Sequence, residues 1–214
     1  MDVIKNRDGR EILLAMVRAI QQNKQYLGDV DGLIGDGDHG MNMNKGFTLY
    51  GEQLGDQETS FSDGLFDLGT VLMNKIGGSM GPIYGTVFME MADQAEDAED
   101  ITLPLFGEML QAALDGLYGI VDARPGDKTL VDTLYPALQA IRTAAEEGKT
   151  LPQALEDMKA AAEKGKESTR GMVAKYGRSS RLGERSRGVL DAGAVSCCII
   201  LQAMADGMLR ALDR

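Results

Sequence analysis

Arg10-Glu11-Ile12-Leu13-Leu14-Ala15-Met16-Val17-Arg18-Ala19-Ile20 sets Ile12, Leu13, Met16, Val17 and Ile20 on an i, i+4, i+8 stripe. That spacing gathers apolar side chains on one face of an α-helix. Followed outward in both directions, the chain shows no strand-like alternation of any length, and helical spacing recurs. Glycine clusters and prolines divide it into eight predicted helices, near residues 8–26, 38–54, 63–76, 82–95, 104–121, 129–147, 152–175 and 191–212. Pro82, Pro104 and Pro152 fall in first turns, where a missing N–H is tolerated, and Gly51, Gly77 and Gly148 fall near stops. Short links between helices predict antiparallel neighbours, as in a bundle or a helical barrel. The stretches Gln94–Asp100 and Glu146–Thr150 are too short to be interdomain linkers, so one domain over 1–214 is expected.

A 43% hydrophobic content over 214 residues is enough for a substantial core. The balance of 33 acidic to 22 basic residues, net −11, argues against nucleic acid or an anionic membrane as a partner, since both require a basic surface. Cys197 and Cys198 are adjacent and implant no disulfide framework, which fits a reducing cytoplasm. The start, Met1 to Asp8, has no apolar signal core, and the longest apolar run, near Ala192 to Leu201, is too short to span a bilayer.

Chemistry concentrates in Asp31-Gly32-Leu33-Ile34-Gly35-Asp36-Gly37-Asp38-His39-Gly40, a predicted acidic loop just ahead of a helix. Carboxylates this close repel and raise one another's pKa, so they are normally kept where a divalent cation compensates them. Oxygen donors without thiolates favour magnesium or calcium, and no Glu stands at loop position twelve to complete a calcium hand. Magnesium is usually held by a few carboxylates together with substrate phosphates, which points to a nucleotide. The alternative is an Asx-turn leading into a capped helix. Gly35, Gly37 and Gly40 match G-x-G-x-x-G, but no strand precedes them and two aspartates would repel a bare pyrophosphate. Gly148-Lys149-Thr150 resembles the end of a Walker A loop, yet Thr143 stands where its first glycine is required.

The stretch from Gly35 to Phe47 closely resembles the loop of the nucleotide-binding L subunit of bacterial phosphotransferase-system (PTS) dependent dihydroxyacetone kinases. Further matches run from Gly77 to Thr86, from Pro125 to Thr129, over Gly177-Arg178, from Leu182 to Ser186 and from Asp191 to Ala194, in the family's order. The resemblance implies an all-α barrel of eight antiparallel helices with ADP or ATP at one end. It implies Asp31, Asp36 and Asp38 as ligands of two magnesium ions, and His39, Gly40, Met41, Asn42, Ser79, Met80, Thr129, Leu130, Arg178, Asp191, Ala192 and Gly193 as the nucleotide's surroundings. Lys128 is also expected near the nucleotide. Two positions depart from the family: Ala192, where proline is frequent, and Ser79-Met80, where a small residue followed by serine is usual.

Each matched turn precedes a predicted helix, whose unpaired N–H groups and positive dipole end suit phosphate. Read from the residues alone, Gly77 to Pro82 is equally a tight turn, and Asp127 and Thr129 are equally helix caps. His39, the sole histidine, is open to three readings: proton carrier, phosphoryl acceptor or nucleotide contact. The resemblance supports the third. Met41 and Met43 read as core or base-stacking residues. Lys175, Arg178, Arg181, Arg185 and Arg187 form a basic stretch that is a solvated loop, a lid or a partner surface. Arg178 can meet a phosphate through its planar fork.

The implied activity is phosphoryl transfer from bound ATP to dihydroxyacetone on a K subunit, the ADP being recharged by a PTS phosphohistidine protein, the M subunit. The rivals are a same-fold subunit acting on erythrulose or on a carrier-held fatty acid, and a nucleotide-dependent regulator that binds a transcription factor.

Overall fold

The computed structural model describes residues 3–213. Among them eight α-helices follow in the expected order: α1 (Arg10–Ile34), α2 (His39–Leu54), α3 (Phe61–Lys75), α4 (Met80–Gln94), α5 (Leu103–Ile120), α6 (Val131–Glu146), α7 (Leu151–Ser168) and α8 (Ala192–Leu212). The one extended element is a two-residue antiparallel pair, β1 (Ile4–Lys5) against β2 (Asp100–Ile101).

Two helix ends differ from expectation. α1 does not stop at residue 26 but runs through Gly28 and Gly32 to Ile34. Those glycines are not breakers; they lie under the turn that follows, where a Cβ on Gly28 would stand 3.4 Å from the Gly37 carbonyl. α7 stops at Ser168 rather than 175, and a 3-10 turn over Thr169–Gly171 ends it. The carbonyls just beyond α7 are taken by the Lys128 ammonium, which donates to Thr169 O at 2.8 Å and Met172 O at 3.3 Å. Gly51, expected at a stop, lies inside α2, which ends before Gly55.

Each helix packs on the next, and α8 packs on α1, so the ring 1-2-3-4-5-6-7-8 closes into a barrel. Inside it, Phe47, Phe61, Phe88 and Phe106 are wholly buried, with Phe47 edge-on to Phe88 at 6.2 Å between ring centres. α8 is apolar and long enough, by length and composition, to cross a membrane, but 72% of its most apolar window is buried within the fold as a core stave.

In an up-and-down ring, links alternate between the two ends. The α1–α2, α3–α4, α5–α6 and α7–α8 links share one end. The α2–α3, α4–α5 and α6–α7 links share the other, with β1 and β2. All matched motifs belong to the first set. At the opposite end Asn6 acts as a knot, its Nδ2 donating to Ser62 Oγ at 2.9 Å and Ala98 O at 2.8 Å while its Oδ1 accepts from the Ser62 amide at 3.0 Å.

Candidate functional site

Asp31 is in the last turn of α1, Asp36 in the bend that follows, and Asp38 immediately before α2. The expected acidic loop is therefore a helix end facing a helix start. What presses them together is the absence of a side chain at position 40: a Cβ there would lie 1.9 Å from the Lys24 carbonyl of α1, so only glycine admits this approach. The result is that one oxygen from each of Asp31, Asp36 and Asp38 lies within 4.8 Å of the others. Three hard oxygen donors at that separation fit a divalent cation such as magnesium. Arg178 forms an ion pair with Asp36, and the His39 amide donates to Asp31 Oδ2 at 3.3 Å.

His39 is buried. Desolvation pushes its pKa down to about 4, partly opposed by the charge of Asp31, so the ring is neutral at neutral pH. Its Nε2 is 2.8 Å from Ser196 Oγ on α8, and that hydroxyl is 2.6 Å from Tyr84 Oη on α4. Tyr84 and Ser196 also approach the Gly193 carbonyl, at 3.2 and 3.1 Å. Neither was singled out from the sequence: Tyr84 lies within the matched stretch Gly77 to Thr86 but on the buried face of α4, and Ser196 sits in an apolar run. The only signal was a hydroxyl among hydrophobic neighbours.

The starts of α6 and α8 adjoin. A Cβ on Gly193 would lie 3.0 Å from Asp191 Oδ2 and 3.6 Å from the Leu130 amide. Asp191 caps α8, accepting from the Ala194 amide at 2.8 Å, and Ala192 is buried beside it. Desolvation raises the Asp191 pKa to about 6, opposed by that amide and by Lys128. Thr129 donates its amide to Asp132 Oδ2 at 2.8 Å, and Asp132 Oδ1 takes the Gly126 amide at 2.5 Å. Asp127 is not the cap of α6; it accepts from the Arg124 amide and from Lys175.

Ser79 is exposed and Met80 half-buried at the start of α4, with open space around Gly77 and Gly78. Met41 is 72% exposed on α2, Asn42 is half-buried, and Met43 is core. The structure thus brings Asp31, Asp36, Asp38, His39, Gly40 and Arg178 into one group and Leu130, Asp191, Ala192 and Gly193 into a second. Tyr84 and Ser196 join the two. Asn42 donates its amide to the Asp38 carbonyl at 3.0 Å, and Met41, Ser79, Met80 and Thr129 share the same end.

Lys128, expected beside the nucleotide, is 1% exposed in a left-handed backbone conformation, φ 62°. Its ammonium is turned to the carbonyls of Thr169, Met172 and Val189. It fastens the α7–α8 link rather than facing the open end. Lys175 adds a second tie to Asp127 at 2.5 Å. The basic stretch is accordingly an ordered strap, with a 3-10 segment over Arg178–Ser186 that touches α1 and spans from the α5–α6 link to Asp36. A groove of about 330 Å³ elsewhere, lined by Leu103, Gln111 and Arg142, contains none of these residues. The converging charges, not the groove volume, mark the site.

The DAK2 domain model matches residues 33–206. The chain is 38% identical over 184 residues to the PEP-dependent dihydroxyacetone kinase, ADP-binding subunit DhaL, of Escherichia coli, covering 85% of this chain and 87% of that one. It is 32% identical to the ADP-binding subunit DhaL of the PTS-dependent dihydroxyacetone kinase of Lactococcus lactis, covering 87% and 90%. Against an L-erythrulose kinase of Pectobacterium atrosepticum it is 30% identical but spans only 32% of that longer protein. The crystal structure of the dihydroxyacetone kinase of C. freundii superposes with a TM-score of 0.69 at 22% identity, over 91% of this chain and 33% of that one, which supports the helical fold. On the family model and these identities over most of its length, the chain belongs to the DAK2 domain family.

Proposed function

We propose that this chain is the nucleotide-binding subunit of a PEP-dependent dihydroxyacetone kinase, holding ADP or ATP with two magnesium ions at the end where the four odd-to-even links meet. The observation that carries this reading is the convergence of the Asp31, Asp36 and Asp38 oxygens within 4.8 Å, beside three helix starts whose N-cap residues, Asp38, Ser79 and Leu130, make no side-chain bond to the first turn. The subunit names of the Escherichia coli and Lactococcus lactis relatives support it.

When bound, magnesium neutralises phosphate charge and favours in-line transfer. The chain's own residues then have separable tasks. Asp31, Asp36 and Asp38 are the ligands, not nucleophiles. The first turns of α2 and α4 offer backbone N–H groups to phosphate oxygens, and α6, whose first amides are taken by Thr129 and Leu130, adds its positive dipole end. Arg178 exchanges Asp36 for a phosphate, and the strap it belongs to closes over the nucleotide and excludes water. Leu130, Ala192 and Gly193 form the wall where α6 meets α8. With one histidine, already engaged by Ser196, the chain has no residue to spare for capturing a ketose or relaying phosphate. Those steps belong to a K subunit that holds dihydroxyacetone and an M subunit that carries phosphohistidine, all in the cytoplasm.

Calorimetric titration with Mg-ADP tests the site, and absence of binding overturns it. A reconstitution assay, omitting each component in turn, tests the assignment. Sustained turnover of dihydroxyacetone by this chain alone would overturn the subunit reading.

A further inference from the structure

The link between α7 and α8 leaves the barrel at Thr169 and returns at Asp191, and its two parts are held in different ways. Residues 169–174 and 186–191 lie against each other as a neck. The Gly188 amide donates to Arg170 O at 2.8 Å, the Ala174 amide to Ser186 Oγ at 2.9 Å and the Asp191 amide to Thr169 Oγ1 at 3.1 Å. The Lys128 ammonium lies across this neck. It donates to Thr169 O at 2.8 Å and Met172 O at 3.3 Å on the outgoing side, and to Val189 O at 2.5 Å on the returning side. The tip, residues 178–185, is held more lightly: it touches α1 and pairs Arg178 with Asp36.

We propose that Lys128 is a positioning residue that closes the neck of this link, so that the tip swings on a fixed base and Arg178 returns to one place beside Asp36. Retention of the nucleotide then depends on a cation that faces away from it, an inference that rests on the nucleotide reading above. Three observations single out Lys128. An ammonium has three N–H donors, one for each carbonyl, whereas the planar fork of an arginine spreads its donors and a neutral side chain of that length has none. One of the carbonyls belongs to Thr169, the residue that ends α7, where the helix dipole favours a cation. Lys128 is also the one non-glycine residue at positive φ among the described residues, and it is 1% exposed. A side chain stays in that conformation where its surroundings over-determine it. The tip is the opposite case. Gly177 and Gly183, at φ 69° and 53°, lie at its start and inside it, and no atom stands within 4 Å of where a Cβ would be, which leaves it room to move.

Hydrogen exchange and nucleotide dissociation, measured on the full chain, test the proposal. In the ligand-free wild type the Ala174, Gly188 and Asp191 amides are expected to be protected like those of the barrel, and residues 178–185 to exchange faster. Within the link, Mg-ADP is expected to slow residues 178–185 most. Lys128→Met removes the donors at similar length. It is expected to release the neck amides while α1 to α6 keep their protection, and to speed Mg-ADP dissociation about tenfold or more, the range of hydrogen bonds to a charged group. Magnesium alone is expected to bind as in the wild type. Lys128→Arg, which keeps the charge in the neck, is expected to fall between the two. Lys175→Ala removes an exposed cation without opening the neck and is expected to change dissociation less than about threefold. Wild-type dissociation rates in both Lys128 variants, or wild-type neck amides that exchange as fast as the tip, overturn the inference. So does a joint loss of magnesium binding and barrel protection in Lys128→Arg, which would make Lys128 a general support of the fold. Absence of Mg-ADP binding by the wild type overturns the nucleotide reading instead. The exchange of the neck amides in Lys128→Met and Lys128→Arg needs no nucleotide and still decides whether Lys128 closes the neck.

Discussion

At the closed end of the barrel, α3, α5 and α7 each begin on a hydroxyl that accepts from the first turn: Ser60 from Asp63, Thr102 from Leu105, and Thr150 from Gln153, the last in a capping box. At the site end, α2, α4 and α6 begin on Asp38, Ser79 and Leu130, none of whose side chains does so. Residue type explains Leu130 alone, because Asp and Ser are among the best capping residues. Backbone explains the rest. Ser60, Thr102 and Thr150 are extended, with ψ of 162°, 164° and 159°, the conformation that turns a side chain back onto the helix. Asp38, Ser79 and Leu130 are already helical, with ψ of −10°, −20° and −23°. At the site end Asp191 still caps α8, and the His39 and Val131 amides are taken by Asp31 Oδ2 and Thr129 Oγ1, so among the described residues α4 is the start whose first turn no side chain serves.

If that division of labour is right, damage at the two ends separates cleanly. The largest effect is expected for Asp36→Asn and Asp38→Asn, which abolish Mg-ADP binding by calorimetry. Removing a like charge leaves the melting temperature unchanged or slightly raised. Unchanged affinity in both variants would break the comparison. Asn6→Ala is the mirror experiment: stripping a buried side chain with several hydrogen bonds is expected to cost about 2–3 kcal/mol of stability, with Mg-ADP affinity unaltered in the folded protein. Thr150→Ala removes one cap and is expected to cost about 1 kcal/mol, again without touching affinity.

Arg178→Ala sharpens the comparison at the site end alone. The guanidinium competes for Asp36, so its loss is expected to tighten binding of magnesium by itself and weaken that of Mg-ADP, two opposite changes that a purely structural arginine would not produce.

The smallest effect is on pH dependence. His39, neutral and buried, contributes stability that is complete above its unfolded pKa near 6.5 and is lost as pH falls toward about 4. Asp191, with its pKa raised to about 6, runs the other way: its contribution is complete below 3.8 and lost as pH rises through 6. The two partly cancel in the wild type. Asp191→Asn, which keeps a capping side chain, is expected to steepen the loss of melting temperature on acidification between pH 6.5 and 4. Thr150→Ala is expected to leave that slope as it is.

The helices were legible in the sequence because their period is local, and the carboxylates because like charges rarely crowd without cause. What decided the site was not local. Gly28 and Gly32 suggest a helix stop until the Gly37 turn is seen folded against them, so Asp31 was placed on a loop and not on the last turn of α1. Ser196 and Tyr84 occupy ordinary core positions of α8 and α4, and only the closing of the ring puts both against His39. Lys128 follows the same rule: the family resemblance suggested the nucleotide, while its ammonium is turned to the carbonyls of the strap from a backbone with φ of 62°.

An even number of staves has a consequence for attachment. The first helix starts, and the eighth finishes, at the end holding the β1–β2 pair, and α8 touches β1 there. Anything fused to residue 3 or 213, a fluorophore or a surface anchor, departs on the side away from the aspartates. Immobilisation through either terminus therefore leaves the carboxylate face pointing outward, free to meet a partner from solution.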